Sequence, residues 1–213
     1  MQIITFLGDM MQSILLTFSQ FTGNYGLAII LLTLMIRGAM YPLTLKQVKS
    51  AAAMRELQPQ LKALQEKYKD KPQEYQKRMM ALWRENKVNP LGGCLPILVQ
   101  MPFLFALFTV LREFPEDFPV SPQFLFWDLS APDPTYLLPI ISGLTTYVMM
   151  NMTMTDPSQK AIMMIMPVFI AWISIQFPAG LVLYWVVSNV FSIAQQHFIM
   201  KGGPITKGGE QST

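Results

Sequence analysis

The sequence predicts an all-α integral membrane protein with five transmembrane helices, an N-terminal interfacial amphipathic helix and a cytosolic helical hairpin. Hydrophobic residues make up 52% of the 213 residues, charged residues only 14%, and the mean hydropathy is +0.33. The charged residues are segregated along the chain, which leaves five apolar runs of near-membrane length. These runs cover residues 26–45, 94–111, 136–153, 161–177 and 181–200.

The first 23 residues predict a helix of a different kind. Apolar residues such as Ile3, Leu7 and Ile14 fall on one helical face, and polar residues such as Asp9 and Gln12 fall mainly on another. No basic residue precedes the apolar run and no Ala-x-Ala site ends it, which argues against a signal peptide. We therefore expect residues 1–23 to form an amphipathic helix that lies in the outer membrane interface.

The topology follows from the placement of lysine and arginine. Between Lys46 and Pro90 there are eleven Lys or Arg against five Asp or Glu, whereas Glu113 to Thr135 holds five acidic residues and no basic one. Because cytoplasmic loops are enriched in Lys and Arg, the first segment is predicted to be cytosolic and the second external. Five spans then place the N-terminus outside and the C-terminus in the cytosol.

The cytosolic segment is predicted to be a helical hairpin over residues 46–90, between a first span at 24–45 and the remaining spans at 91–200. Apolar residues recur three and four apart on both sides of a break at residues 70–72, and Pro59 is expected to kink the first arm. The net charge of the hairpin, about +6, has two interpretations. It acts as the topology determinant alone, or it also contacts anionic lipid heads, ribosomal RNA or an acidic targeting factor.

The most informative single residue is Arg37, which lies inside the first apolar run with no acidic residue in that run. A guanidinium stays charged in a protein, and placing it near a bilayer centre costs roughly 3 kcal/mol on insertion scales. Snorkelling towards an interface is one interpretation. However, Lys46 marks the cytosolic end about 13 Å further along a straight helix, which is farther than one arginine side chain reaches. The favoured interpretation is therefore a water-filled cavity in which Arg37 meets a negative group of another molecule.

Polar residues in other spans extend this prediction. Ser188 and Asn189 follow Trp185 by three and four residues in the fifth span, and Ser192 continues this spacing. In the first span, Thr33 precedes Arg37 by one turn. Gln100 in the second span is a further candidate, for which an ordinary helix–helix contact is the alternative. If these faces converge, they form a polar groove with one fixed charge. The predicted groove residues are Arg37, Thr33, Gln100, Trp185, Asn189 and Ser188.

Several functional classes fit poorly. The single histidine, His197, lies about 13 Å along the same helix from Ser188, which disfavours a serine nucleophile with an adjacent base. No phosphate-binding loop or metal-ligand spacing is present, so we predict no enzyme activity, no metal and no cofactor. Cys94 is the sole cysteine, and a small packing residue is its expected role. The remaining alternative is a small channel or transporter for an anionic solute.

Three motifs resemble those of the YidC-type membrane protein insertases. They are RGAMYPLT from Arg37 to Thr44, NPLGGCLPILVQMP from Asn89 to Pro102, and FPAGLVLYWVVSN from Phe177 to Asn189. The likeness extends from about residue 24 to 200 and includes the basic hairpin and the Asp156, Pro157 pair. The sequences of these motifs are most similar to those of the Gram-negative branch of the family.

The resemblance implies a lateral groove, open to cytosol and lipid, in which Arg37 is the groove charge and Thr33 and Trp185 are lining residues. It implies a location in the bacterial inner (plasma) membrane and, as partners, nascent membrane-protein clients and the lipid bilayer, with no small-molecule substrate. The Sec translocon and the ribosome are further partners that it raises. The hairpin becomes a client-receiving element, whose predicted contact residues are Lys46, Lys49, Arg55, Lys62, Tyr68, Arg78 and Arg84.

The sequence departs from that family's pattern in three places. Gram-negative members usually carry an extra helix and a large periplasmic domain before the region that matches here. The tail at residues 201–213 is short, which argues against ribosome binding through it. Met149 or Met150 stands where a glutamine is often found, so we expect a less polar groove on that side.

Overall fold

The computed structural model describes residues 2–86, 95–112, 120–153 and 160–201. Within these ranges the chain is mainly helical, as predicted, with one two-stranded antiparallel hairpin. The residues from Asn89 to Cys94 and the Asp156, Pro157 pair lie outside the described residues. In chain order the elements are α1 (Gln2–Thr22), α2 (Tyr25–Ala39), α3 (Tyr41–Glu56), α4 (Gln58–Lys67), α5 (Pro72–Glu85), α6 (Leu95–Arg112), β1 (Gln123–Phe124), β2 (Trp127–Asp128), α7 (Leu137–Thr153), α8 (Lys160–Ser174) and α9 (Ala179–Lys201).

The predicted first span is interrupted at Met40. Here α2 and α3 meet with an angle of 64° between them. Pro42 stands in the first turn of α3, and its ring would collide with the carbonyl four residues earlier in a continuous helix. The prediction of one straight helix across residues 26–45 is therefore wrong. Arg37 lies in the last turn of α2, and the straight-helix distance to Lys46 does not apply.

The N-terminal helix α1 packs against α2 and α6. Met11 and Leu15, which belong to its predicted apolar face, are fully buried, and Ser19 is buried with them. At the other extreme, Phe6 and Phe21 are exposed. The apolar face of α1 is therefore the face that packs on the bundle. The position of α1 at a membrane interface stays a prediction.

The long helix α9 is the centre of the bundle, because α2, α6 and α7 all contact it. Its first turns are buried, and the segment at residues 129–131 caps its N-terminus. There the amides of Ala179 and Gly180 donate to the carbonyls of Ala131 and Leu129 at 2.8 and 3.0 Å. These contacts supply partners that the first amides of a helix otherwise lack. They fix α9 in position for the polar residues that follow along it.

The predicted hairpin region consists of α3, α4 and α5. The break predicted at residues 70–72 falls where α5 begins, at Pro72, and α4 contacts α5. Pro59 stands in the first turn of α4, just after the junction with α3 at Leu57. No residue of α4 or α5 is buried. This region therefore gains little of its stability from packing on the bundle.

Helices α7 and α8 form a close pair whose large apolar side chains face outwards. Ile140, Leu144, Ile165 and Val168 are exposed, and Val168 is 70% exposed. Inside the pair, Ser142 Oγ lies 3.1 Å from Ser174 Oγ in a buried hydrogen bond. Small and polar residues inside with apolar residues outside are typical of helices packed in lipid.

The described helices differ in length and in apolar character, the two properties that allow a helix to cross a bilayer. None of them is by itself both long enough and apolar enough to cross a bilayer, whereas α2 and α3 together reach both requirements across their bend.

Gly143→Ala is expected to destabilise the α7–α8 pair by about 1–3 kcal/mol, through overpacking. An added Cβ would lie 2.9 Å from Ala171 Cβ and 3.0 Å from the Pro167 carbonyl oxygen, and the α8 backbone holds both atoms. Thermal unfolding in detergent measures the effect. Gly8→Ala is the matched control, because its Cβ would meet nothing within 4 Å. Equal Tm values for both variants would contradict this packing.

Asp133 fixes the start of α7. Its carboxylate accepts hydrogen bonds from Thr135 N and Oγ1 at 2.8 and 2.6 Å and from Leu138 N at 2.8 Å, and the side chain is 2% exposed. Burial acts to raise the pKa of Asp133, but the hydrogen bonds outweigh it and hold the pKa below its usual range. The ionised carboxylate therefore caps the helix.

Asp133→Asn is expected to lower stability at neutral pH by about 1 kcal/mol, because the amide nitrogen that replaces one carboxylate oxygen cannot accept the hydrogen bonds made there by Thr135 or Leu138. The folded-state pKa lies below the unfolded value of about 3.9. The carboxylate's contribution is therefore fully present above that pH and is lost as the pH falls through the folded pKa. Tm measured against pH for both proteins should show a gap that narrows below about pH 4. A constant gap would show that ionisation of Asp133 does not matter.

Candidate functional site

Arg37 makes the central contact of the candidate site. Its side chain is partly buried, and Nε donates to Ser188 Oγ on α9 at 2.8 Å. Ser188 is 3% exposed. The guanidinium has five N–H donors, and only this one bonds to a residue that the structure describes. Arg37 therefore points between helices rather than outwards along α2.

A second contact lies one turn earlier on α9. Gln100 Nε2, on α6, donates to the hydroxyl of Tyr184, which precedes Ser188 by four residues. Residues four apart share a helix face, so Tyr184 and Ser188 form one stripe. We call Arg37, Ser188, Tyr184 and Gln100 the arginine cluster. It joins α2, α6 and α9 with polar contacts.

The adjacent face of α9 makes a separate set of contacts, to α7. Asn189 Nδ2 donates to Thr146 Oγ1 at 2.9 Å and to Thr145 Oγ1 at 3.3 Å, and Trp185 Nε1 donates to Thr146 Oγ1 at 3.2 Å. We call these four residues the α7–α9 seam. The six predicted groove residues therefore do not form one group, since Trp185 and Asn189 bond to α7 while Arg37, Gln100 and Ser188 belong to the arginine cluster.

Thr33, the sixth predicted residue, is fully buried and donates to the carbonyl of Ile29 in its own helix at 2.7 Å. This bond satisfies its hydroxyl within α2. Thr33 therefore contributes a small buried position one turn from Arg37, and its hydroxyl is already occupied.

The arginine cluster contains one formal charge. In the part of the chain that the structure describes, the side-chain hydrogen-bond partner of Arg37 is the hydroxyl of Ser188 and not a carboxylate. The same described residues contain no group of three His, Cys, Asp or Glu side chains that could hold a metal ion. An isolated cation with spare donors is suited to binding a transient anion or water.

Most predicted contact residues of the hairpin are exposed on α3, α4 and α5, and Tyr68, which is half-buried, ends α4. Arg55 is the other exception. Its Nη2 donates to the carbonyl of Met152 and, at 3.4 Å, to that of Asn151, both at the end of α7. A cation there also meets the negative end of the helix dipole. The exposed members are Lys46, Lys49, Lys62, Arg78 and Arg84.

Sequence reasoning missed Tyr184, Thr145 and Thr146. Tyr184 stands inside the apolar run LVLYWVV and precedes Ser188 by one turn, a spacing that could have identified it. The two threonines stand in a mostly apolar span, and each is spaced like an ordinary helix-packing residue. Only the three-dimensional arrangement shows that they face α9.

An apolar helical bundle that holds an arginine between its helices belongs to the class of membrane proteins with an internal polar site. The chain belongs to the 60Kd inner membrane protein family, whose model matches residues 17–206. The family resemblance predicted from the motifs is thereby confirmed, and the protein's location is the bacterial inner membrane.

Curated relatives carry the name membrane protein insertase YidC. Those of Vibrio cholerae and Pseudoalteromonas atlantica are 50% and 48% identical over 186 and 182 residues, covering 85% and 83% of this chain. That of Aeromonas salmonicida is 47% identical over 201 residues, covering 92% of this chain. The chain spans about a third of the length of these relatives, between 33% and 36%.

A solved structure is also similar. It is a crystal structure of an active YidC insertase with its first transmembrane domain resolved, and it is 35% identical with a TM-score of 0.73. The match covers 87% of this chain and 45% of that chain. The bundle described above therefore has the fold of the corresponding part of that protein.

Proposed function

We propose that this protein is a membrane protein insertase and chaperone, which inserts nascent membrane proteins and helps them to fold. The observation that carries the proposal is Arg37, a permanent charge held by Ser188 between apolar helices without a carboxylate partner among the described residues. The names of the relatives at 47–50% identity support the same function.

The arginine cluster is the proposed contact for the hydrophilic tail of a client. Moving a charged tail through hydrocarbon is costly because the charge leaves water. A positive group with spare N–H donors in a polar, hydrated groove offsets part of that cost, and it does so most strongly for an acidic tail. The tail needs only transient contact, since a tight complex would hold the client in the groove.

Release follows from the apolar part of the client. A client helix of about 20 apolar residues gains roughly 25 cal/mol per Å² of apolar surface that leaves water for lipid. The exposed apolar surfaces of α7 and α8 offer a lipid-facing exit beside α9. No cofactor is needed in this scheme, because client partitioning supplies the free energy.

We assign the basic hairpin region to the reception of clients on the cytosolic side. Exposed basic residues on α3, α4 and α5 suit a negatively charged partner, such as anionic lipid heads or an acidic client segment. The N-terminus is then outside and the C-terminus in the cytosol, as the distribution of lysine and arginine predicts. The Sec translocon and the ribosome remain proposed partners on the strength of the family.

The test is insertion of a purified single-span client with an acidic tail into proteoliposomes containing this protein. Protease protection of the tail reports translocation. We expect a protected fragment with the protein and little or none with empty liposomes. If no fragment forms while an anionic solute crosses in an Arg37-dependent way, the protein is a transporter and the proposal is wrong.

A further inference from the structure

Among the described residues, Gln195 on α9 has the least satisfied polar side chain. It is 7% exposed, and neither its amide nitrogen nor its amide oxygen has a hydrogen-bond partner among the described residues. A buried polar group without a partner destabilises the folded state, so natural proteins rarely retain one without a reason. The arginine cluster and the α7–α9 seam do not use this residue.

The position of Gln195 links it to the arginine cluster. It follows Ser188 by seven residues, which is two helical turns, so both residues lie on one face of α9 about 10 Å apart. Ser192 stands between them on the same stripe, and its hydroxyl donates to the carbonyl of Ser188. Gln195 therefore follows Ser188 and Ser192 along this face towards the C-terminal end of α9, which is the cytosolic end in the proposed topology.

Gln47 on α3 also has a side-chain amide nitrogen that is buried without a hydrogen-bond partner in the described part of the chain. Helix α3 contacts α9, and Gln47 follows Arg37 by ten residues, across the bend. Two glutamines with unpartnered amide nitrogens thus belong to α9 and to α3, the helix that follows Arg37 in the chain and contacts α9.

We propose that Gln195 is a binding position for the polypeptide backbone of a client that enters the groove, an inference that rests on the proposed insertase function. A side-chain amide presents one carbonyl and one NH₂, the same pair of groups that a peptide bond presents. An extended segment leaving water has unpaired peptide groups. The N–H and C=O of one residue point to the same side of an extended chain, so Gln195 can donate to that C=O and accept from that N–H. Binding through the backbone does not depend on the client's sequence.

Gln196 supplies a matched control. It is the next residue, equally buried, and its Nε2 donates to the carbonyl of Met152 on α7 at 2.9 Å. The experiment compares wild type, Gln195→Leu and Gln196→Leu in proteoliposomes. Each protein is tested with two single-span clients, one with an acidic tail and one with a neutral tail. Insertion rate is measured by protease protection and Tm by thermal unfolding.

We expect Gln195→Leu to insert both clients more slowly by the same factor, roughly threefold to tenfold, the equilibrium factor of about one hydrogen bond. Its Tm should equal or exceed that of wild type, because an unsatisfied amide is removed. Gln196→Leu should instead lower Tm, since it breaks a bond to α7.

Three results would overturn the inference: a wild-type rate in Gln195→Leu, a Tm loss in Gln195→Leu equal to that of Gln196→Leu, or a rate loss confined to the acidic client. The last would assign Gln195 to the electrostatics of Arg37 rather than to the backbone. If wild type itself inserts neither client, the proposed function fails, and the inference fails with it.

Discussion

Arg37→Ala is expected to reduce insertion of a client with an acidic tail by roughly tenfold or more, while Arg37→Lys retains most of the rate. Two unit charges about 4 Å apart attract by about 4 kcal/mol at an effective dielectric constant of 20. Loss of only a third of that attraction in the rate-limiting step gives a tenfold effect. Lysine keeps the charge but has no second nitrogen to bond Ser188 as Nε does.

Ser188→Ala is the control for this pair of variants. It removes the acceptor that holds Arg37 Nε and leaves the charge in place. A small loss of rate in Ser188→Ala, beside a large loss in Arg37→Ala, would assign the effect to charge. Equal losses in Arg37→Ala and Arg37→Lys would instead show that the fixed shape of the guanidinium matters, as it does in bidentate recognition of one carboxylate.

Asn189→Leu is expected to produce the second largest effect, on stability. It removes two hydrogen bonds from α9 to Thr145 and Thr146, and hydrogen bonds between membrane helices contribute roughly 0.6–2 kcal/mol each. Tm should fall clearly in detergent. At temperatures where the variant stays folded, its ratio of rates for acidic and neutral clients should equal that of wild type, because Arg37 is untouched.

Asn151→Leu is the matched control for Asn189→Leu. The side chain of Asn151 is exposed near the end of α7, so the same substitution should leave Tm nearly unchanged. If Asn189→Leu also kept its Tm but altered the preference between clients, Asn189 would belong to the client path rather than to the α7–α9 seam.

The sequence identified Arg37 because a charge inside an apolar run is destabilising unless it meets water or a partner. The pairing of its neighbours could not be predicted in the same way. Successive helical residues point about 100° apart, so Tyr184 and Trp185 face different helices although they are adjacent. The order of packing around α9 decides which face meets Arg37 and which meets α7. Hydropathy and spacing carry no information on that order.

The bend at Met40 shows a different limit of the sequence. Pro42 is a visible helix breaker, but the apolar run continues on both sides of it, and averaged hydropathy bridges the interruption. Because α2 and α3 are bent at Met40, Arg37 and Lys46 are not separated by the straight-helix distance of about 13 Å. The hydrogen bond from Arg37 to Ser188 instead supports the prediction that Arg37 faces the bundle interior.

The unpartnered amide of Gln195 could not be read from the sequence either. Gln195 and Gln196 are identical and adjacent, and both are buried, yet only Gln196 has a hydrogen-bond partner among the described residues. Burial follows from the apolar surroundings, whereas satisfaction depends on whether a carbonyl lies within reach.

The most direct test of the central claim, that the charge of Arg37 acts on the client's tail, is a tail-charge series. Clients that differ only in carrying zero, one or two aspartates in the tail are inserted by wild type and by Arg37→Ala. We predict that the wild-type rate divided by the Arg37→Ala rate rises with each added carboxylate. The same ratio should fall as salt screens the charges. A ratio that stays the same across the series would contradict the claim.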